Sequence, residues 1–593
     1  MKRKALAMIL ALAMILSLAA CGGSSTAEND SEAPQDTETQ EAEAPAEETP
    51  AQEPEETQAE EPAGEDTLVR TTQFGDVQGV TKGESLVWYA VPYGAAPVGE
   101  LRWAAPVDPE AWTDVRDCTA PGEPAIQSSM DYTTFQNVLS GTEDCLNLDI
   151  YSTADAENLP VLVYIHGGNN QTGSSSEIEG SKIVVNDNCV YVSLNYRLGL
   201  LGFNCLPALQ KEEGSTGNYT MLDIAKALDW VRANISAFGG DPNNVTISGF
   251  SAGGRDVMAA LISPVFAGKF DKAIAFSGGM TVADEAASAS KIAGAIAPLA
   301  VEDGKAADEA EAKAWLLTDG DDVKEYLYSI PAERLAPLMG NAGIRMSAFP
   351  HLYKDGVVIP ENGFETTEYQ SVPVLMLTGS TEFSLFCSFD GYYSSEAVAA
   401  LDEETQAAAK SFATLYGSDM YRIFNTQCSA ETMFDNYKDN IYLCQVEYGS
   451  VNSATVLPAM GSFHGIFVPM LTDEHTYGGF GDFSAAGYQA MAQQFNAYLT
   501  NFLATGDPNG EGLAQWSNWT PENKSTMVFD ADDTQAIVES KDVSSSYEDI
   551  IAAMEADTTI SDELKQGNIS NVMNGRWFSA ALDEHFGNPS LWD

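Results

Sequence analysis

The stretch Asn243–Gly254, Asn-Asn-Val-Thr-Ile-Ser-Gly-Phe-Ser-Ala-Gly-Gly, constrains this chain more than any other. An apolar, β-branched run leads into Gly249-Phe250-Ser251-Ala252-Gly253, and a helix-compatible segment, Arg255 to Ile262, follows. The spacing predicts a strand, a cramped turn, a serine and a helix in that order. A turn this tight brings strand and helix so close that a Cβ at either glycine would clash. Ser251 is then held on a strained corner with its hydroxyl exposed, where a nucleophile is expected.

Further strand candidates recur with helices between them. Leu159–His166 and Cys189–Leu194 are continuous apolar runs, and Val245–Ser248, Lys272–Phe276 and Val372–Thr378 follow. Runs apolar on both faces suit a sheet covered by helices on each side. Thr220–Ala237 reads as a helix, with Met221, Ile224, Ala227, Leu228, Trp230 and Val231 on one face and Gly239-Gly240 as its stop. The alternation predicts an α/β fold with a large, mostly parallel, doubly wound central sheet flanked by helices. Two short alternating runs between Val69 and Tyr93 predict an antiparallel hairpin leading in. No linker-like or repetitive segment follows, so residues 67–593 read as one domain.

The preceding residues are of another kind. Met1-Lys2-Arg3-Lys4 is basic, and Ala5 to Ala20 is apolar but short for a membrane span. The run closes on Leu18-Ala19-Ala20-Cys21, similar to a bacterial lipobox. Residues 1–20 are therefore expected to be a lipoprotein signal peptide, with Cys21 acylated and anchoring the chain to the membrane from outside the cytoplasm. Thr26–Asp66 has no Lys, Arg or aromatic residue and is crowded with Glu, Pro, Thr, Ala and Gln. With so little apolar surface to bury, residues 21–66 are expected to form an acidic disordered linker.

A formal net charge of −58 argues against nucleic acid and anionic lipid surfaces as partners. The eight cysteines allow a few disulfides in an exported chain. Cys118 and Cys145, which bracket a loop rich in Pro, Gly and Ser, are the best-placed pair. Cys189 reads as a buried thiol, and Cys205, Cys387, Cys428 and Cys444 are undecided. With no C-x-x-C pair and no H-E-x-x-H, no metal or cofactor is expected.

A serine nucleophile needs a base, an acid to orient it and donors for the oxyanion. On a strand–elbow–helix architecture the order along the chain is serine, acid, histidine. Glu382 follows the strand Val372–Thr378 at its C-terminal end and is the acid candidate. Of the five histidines, only His464, His475 and His585 lie downstream. His464, in Gly461-Ser462-Phe463-His464-Gly465, has small neighbours that let an imidazole reach out, and it is the base candidate. The other four are expected to be structural, with His166 packing beneath its loop. That loop, His166-Gly167-Gly168-Asn169-Asn170, follows Leu159–Ile165 and suits an oxyanion hole. The N–H groups of Gly168, Asn169 and Ala252 are its expected donors, each worth about 10²–10³ in rate.

Taken together, the chain resembles the type-B carboxylesterases among the α/β-hydrolases, a family that also includes cholinesterases and neuroligins. The resemblance rests on Val91-Pro92-Tyr93-Gly94 with Leu101-Arg102-Trp103, Glu143-Asp144-Cys145-Leu146-Asn147-Leu148, Asn195-Tyr196-Arg197-Leu198-Gly199, Gly217-Asn218, Phe238-Gly239-Gly240-Asp241-Pro242 and Gly506-Asp507-Pro508-Asn509. It implies the α/β-hydrolase fold, a pairing of Cys118 with Cys145, and hydrolysis of small carboxylic esters by Ser251, His464 and Glu382. There are three departures from the family pattern: Phe250 stands where Glu is usual, Asn169 replaces a third glycine, and Arg255-Asp256 replace small residues. The competing expectation is a non-catalytic, neuroligin-like adhesion protein on the same fold, against which the complete set of Ser251, Glu382 and His464 argues.

Overall fold

The computed structural model describes residues 68–588, apart from 132–135, 212–213, 340–344, 346–347, 451–452, 458–459, 474, 476, 478–479 and 482. The expected signal peptide, Cys21 and the acidic linker lie outside the described residues.

A central sheet holds β1 (Val80–Lys82), β2 (Ser85–Pro92), β3 (Asn147–Thr153), β4 (Leu159–Ile165), β5 (Val190–Leu194), β6 (Gly240–Phe250), β7 (Lys272–Phe276), β8 (Val374–Gly379), β9 (Ile441–Val446), β10 (Ser525–Ala531) and β11 (Ala536–Asp542). The order across it is β11-β10-β9-β8-β7-β6-β4-β5-β3-β2-β1. Every neighbouring pair from β5 to β10 is parallel. The outer pairs at both margins are antiparallel. The expected parallel arrangement thus describes the centre, and each edge is closed by antiparallel strands. Half-exposed β11, Ala-Ile-Val-Glu-Ser-Lys-Asp, carries the charges of an edge strand.

The helices that matter for the site are α1 (Tyr219–Asn234), α2 (Ala252–Ala260), α3 (Phe383–Ser388), α4 (Glu403–Ile423) and α5 (Ala486–Thr505). Alternation along β4 shows why the sheet is covered twice. Val161, Val163 and Ile165 join one core with Met221, Ile224 and Leu228 of α1 and Val257 and Met258 of α2. Leu162 and Tyr164 join the other with Met491, Phe495, Leu499 and Phe502 of α5. Each such buried side chain contributes about 1.5–3 kcal/mol through apolar area removed from water. The period-2 pleat therefore sends successive apolar residues into different cores, and an unbroken apolar run results.

Sequence and structure differ at several points. β6 begins at Gly240, pairing with Leu159, and shifts register before Val245. Its first residues, Asp-Pro-Asn-Asn, carry no strand signal because an irregular edge, not side-chain pattern, aligns them. The lead-in contains two hairpins: Val69–Thr71 pairs with Asp76–Gln78, and β1 with β2. The expected Cys118–Cys145 disulfide is corrected, since both are buried free thiols. Burial pushes the Cys118 thiol up to about 12 and also raises that of Cys145.

Candidate active site

Parallel strands deliver their C-terminal ends to one margin of the sheet, where α/β proteins build their sites. Four of these ends supply the candidate residues: β6 leads to Ser251, β8 to Glu382, β4 to the loop at Gly167, and β9 to the loop carrying His464. Ser251 sits between β6 and α2 with φ 55° and ψ −111°, a conformation that L-residues avoid. The corner is held from two sides, since Ser251 N–H donates to Phe276 O of β7 at 2.9 Å and Ser251 O accepts from Arg255 N–H. A Cβ at Gly249 would lie 2.3 Å from Gly253 O, and one at Gly253 only 2.1 Å from Ile165 O. Both glycines are thus required by backbone packing.

Glu382 is fully buried at the start of α3. Its Oε1 accepts from Gly379 N–H (2.6 Å), Ser277 Oγ (2.6 Å) and Thr378 Oγ1 (3.2 Å). Its Oε2 lies 2.5 Å from His464 Nδ1. The two loops are also tied through backbone: Thr381 N–H donates to Ser462 O, and Ser462 N–H to Thr381 Oγ1, both at 3.0 Å. Ser462 Oγ closes onto Val446 O at the end of β9 (2.6 Å). The imidazole packs on Phe250, the residue before Ser251, with ring centroids 4.6 Å apart, and on Phe386 at 5.0 Å. Tyr421 of α4 stacks on it at 5.8 Å. The acid and the histidine are therefore in contact, and the histidine ring borders the serine corner.

The loop after β4 turns through three consecutive left-handed residues, Gly168 (φ 96°), Asn169 (57°) and Asn170 (55°). No backbone carbonyl of the described residues accepts from the N–H of Gly168 or Asn169. Ala252 opens α2, where the first N–H groups have no intrahelical acceptor. From its other side the loop is gripped by Glu177, which takes Gly167 N–H at 2.8 Å and the Tyr164 hydroxyl at 2.7 Å.

The remaining histidines sit away from this contact. His166 stacks on Tyr196 at 4.3 Å, and burial pushes its pKa down to about 4, so it is a neutral packing residue. His351 is buried among Phe203, Phe349 and Trp577, and desolvation likewise lowers it. His475 is half-buried against Tyr477 and Phe483, and exposed His585 pairs with Glu555.

Sequence reasoning did not identify Ser277, Thr378, Phe386 and Tyr421. Ser277 was within reach: Ser277-Gly278-Gly279 follows a recognised strand and so lies at the same margin. The two aromatic residues come from α3 and α4, whose packing has no local signature. Among the described residues no cluster of His, Cys, Asp and Glu could hold a metal ion.

A large sheet, parallel at its centre, with a serine at a strand-to-helix corner and a buried acid–histidine pair at neighbouring strand ends, defines the α/β-hydrolase class. A profile of the carboxylesterase family matches residues 65–422 and 390–547, and the chain belongs to that family. It is 41% identical to a para-nitrobenzyl esterase of Bacillus subtilis over 242 residues, 40% of this chain and 48% of that protein. This match therefore spans about half the length of that relative. A longer match, 29% identical over 518 residues, covers 78% of this chain and 88% of a cocaine esterase of Homo sapiens. Among solved structures, a Geobacillus stearothermophilus carboxylesterase is similar with a TM-score of 0.61 and 26% identity, over 80% of this chain and 98% of that one.

Proposed function

We propose that this chain is a carboxylic ester hydrolase that works through an acyl-enzyme on Ser251. The observation that carries the reading is the buried Glu382–His464 pair, whose imidazole packs against the residue preceding the strained serine. In this reading Ser251 Oγ attacks the ester carbonyl carbon while His464 Nε2 takes the hydroxyl proton. Glu382, holding Nδ1, keeps the ring in the tautomer that leaves Nε2 free and offsets the charge of the imidazolium. The negative oxygen of the tetrahedral intermediate accepts from the N–H groups of Gly168, Asn169 and Ala252. Collapse breaks the C–O bond, and the alcohol departs with the proton from His464. Water then repeats the sequence and releases the acid. The substrate class is small carboxylic esters. Phe250, at the position where the family commonly has a carboxylate, makes this side of the site apolar and favours uncharged groups.

We also propose that the enzyme is held at the membrane through acylated Cys21, on the strength of the lipobox-like Leu18–Cys21. The test of the catalytic reading is hydrolysis of p-nitrophenyl acetate by the protein lacking residues 1–66, beside Ser251→Ala. Turnover should fall by at least about 10⁴-fold in the variant. Equal turnover in the two proteins would reject the assignment.

A further inference from the structure

The residues following the serine corner are unusual for a helix packed this deeply. Arg255 and Asp256 of α2 are both buried, at 1% and 0% exposure, one turn beyond Ser251. Among the described residues no carboxylate forms an ion pair with the Arg255 guanidinium. It donates from Nη2 to Asn169 Oδ1 (2.9 Å) and lies over the Trp577 ring at 4.6 Å, while its Nε has no partner. Asp256 accepts at Oδ1 from Asn170 Nδ2 (2.9 Å), and its Oδ2 is unpartnered. Burying a cation without a directly paired carboxylate is expensive, and desolvation, only partly opposed by nearby groups such as Asp256, lowers the Arg255 pKa. An apolar pair would fill the same space at less cost. A fold that keeps these groups does so for what they hold.

They hold Asn169 and Asn170, two residues with side chains in the left-handed region, each strained by about 1–3 kcal/mol unless fixed by its surroundings. Glycine would take these angles unaided. Arg255 and Asn169 are therefore in contact across helix and loop, and so are Asp256 and Asn170. The helix that offers the Ala252 N–H also grips the loop that offers those of Gly168 and Asn169.

Resting on the esterase reading above, we propose that Arg255 and Asp256 are positioning residues of the oxyanion hole, locking Asn169 and Asn170 in their left-handed conformation so that amides of loop and helix act on one oxygen. Asn169 and Arg255 then form a coupled pair, in which Arg255 is needed because position 169 carries a side chain in the left-handed region.

A double-mutant cycle in the full chain tests this, with kcat and KM for p-nitrophenyl acetate measured for wild type, Arg255→Met, Asn169→Gly and the double variant. Arg255→Met should lower kcat 10- to 100-fold with KM within about 3-fold, since only the transition state carries the oxyanion. Asn169→Gly keeps the backbone N–H but removes the side chain that Arg255 holds, and its own kcat is the reference for the double variant. On that background Arg255→Met should cost no more than about 3-fold, because glycine no longer needs the grip. The same large loss from Arg255→Met in both backgrounds, or no loss in either, would overturn the proposal. Should Arg255→Met not fold, Arg255→Lys in the same cycle gives the same reading, since a shortened donor weakens the grip without removing the charge. Ser251→Ala is run alongside. An active Ser251→Ala rejects the esterase reading itself, whereas an inactive one with additive Arg255 and Asn169 effects rejects only this inference.

Discussion

Replacing Glu382 by Gln changes one atom in a site where both carboxylate oxygens are engaged, so its consequence can be worked out. Oε1 accepts from Gly379 N–H and Ser277, and Oε2 faces His464 Nδ1. The carboxamide has two orientations. With its oxygen at the Oε1 position, Gly379 and Ser277 stay satisfied, but the NH₂ meets Nδ1. The imidazole then moves its proton to Nε2, where it can no longer accept from Ser251. With the oxygen toward Nδ1 the tautomer is right, but the NH₂ faces Gly379 N–H and leaves that buried donor without an acceptor, while the Ser277 and Thr378 hydroxyls can turn to accept from the NH₂. At about 1–3 kcal/mol for an unsatisfied group, the productive orientation is disfavoured by about 1–3 kcal/mol. At 1.36 kcal/mol per tenfold, kcat should fall about 5- to 150-fold. KM and the melting temperature should change little, because the first orientation keeps the buried bonds. Steady-state hydrolysis of p-nitrophenyl acetate with a parallel thermal melt measures both. A kcat within about 3-fold of wild type, at unchanged stability, would refute the reasoning that Glu382 sets the tautomer.

Two further predictions concern the scaffold. Gly253→Ala places a Cβ 2.1 Å from Ile165 O, a backbone atom of β4 that cannot move aside, and should destabilise by about 3 kcal/mol or more in urea unfolding. A wild-type midpoint would contradict the close packing of α2 on the sheet. Asp187 is buried, and desolvation pushes its pKa up to about 8. Its folded-state pKa is above the unfolded value, so its contribution is full at low pH and lost as pH rises from about 4 through 8. Asn cannot titrate, so the melting temperature of Asp187→Asn minus that of wild type should grow across that window and level off above it. A pH-independent difference would contradict the assignment.

Much of this arrangement was legible in the chain, because its determinants are local. The serine corner is dictated by two glycines and one serine within a few residues. The parallel strands announce themselves as unbroken apolar runs, since both of their faces are buried. Chain order, the end of one strand and the small neighbours of His464 pointed to Glu382 and His464, which the structure brings into contact. What was not legible depends on contacts between distant segments. β9, Ile-Tyr-Leu-Cys-Gln-Val, is short and bounded by charged residues, and its burial comes from β8 and β10 on either side. Ser277 and Tyr421 meet the site only because their elements converge there. The first residues of β6 follow an irregular register that no side-chain pattern marks. The expected Cys118–Cys145 bridge failed for a related reason: a loop rich in turn residues does not bring two thiols into bonding geometry.

The central claim is that Ser251, His464 and Glu382 act as one unit, and covalent trapping tests it most directly. The protein should be treated with a fluorophosphonate and digested, with the adduct located by peptide mass spectrometry. The labelling rate should be compared with that of His464→Ala. The account predicts a single adduct on Ser251 and labelling at least about 10²-fold slower in His464→Ala, at an unchanged melting temperature. An adduct on another residue, or equal labelling rates in the two proteins, would contradict it.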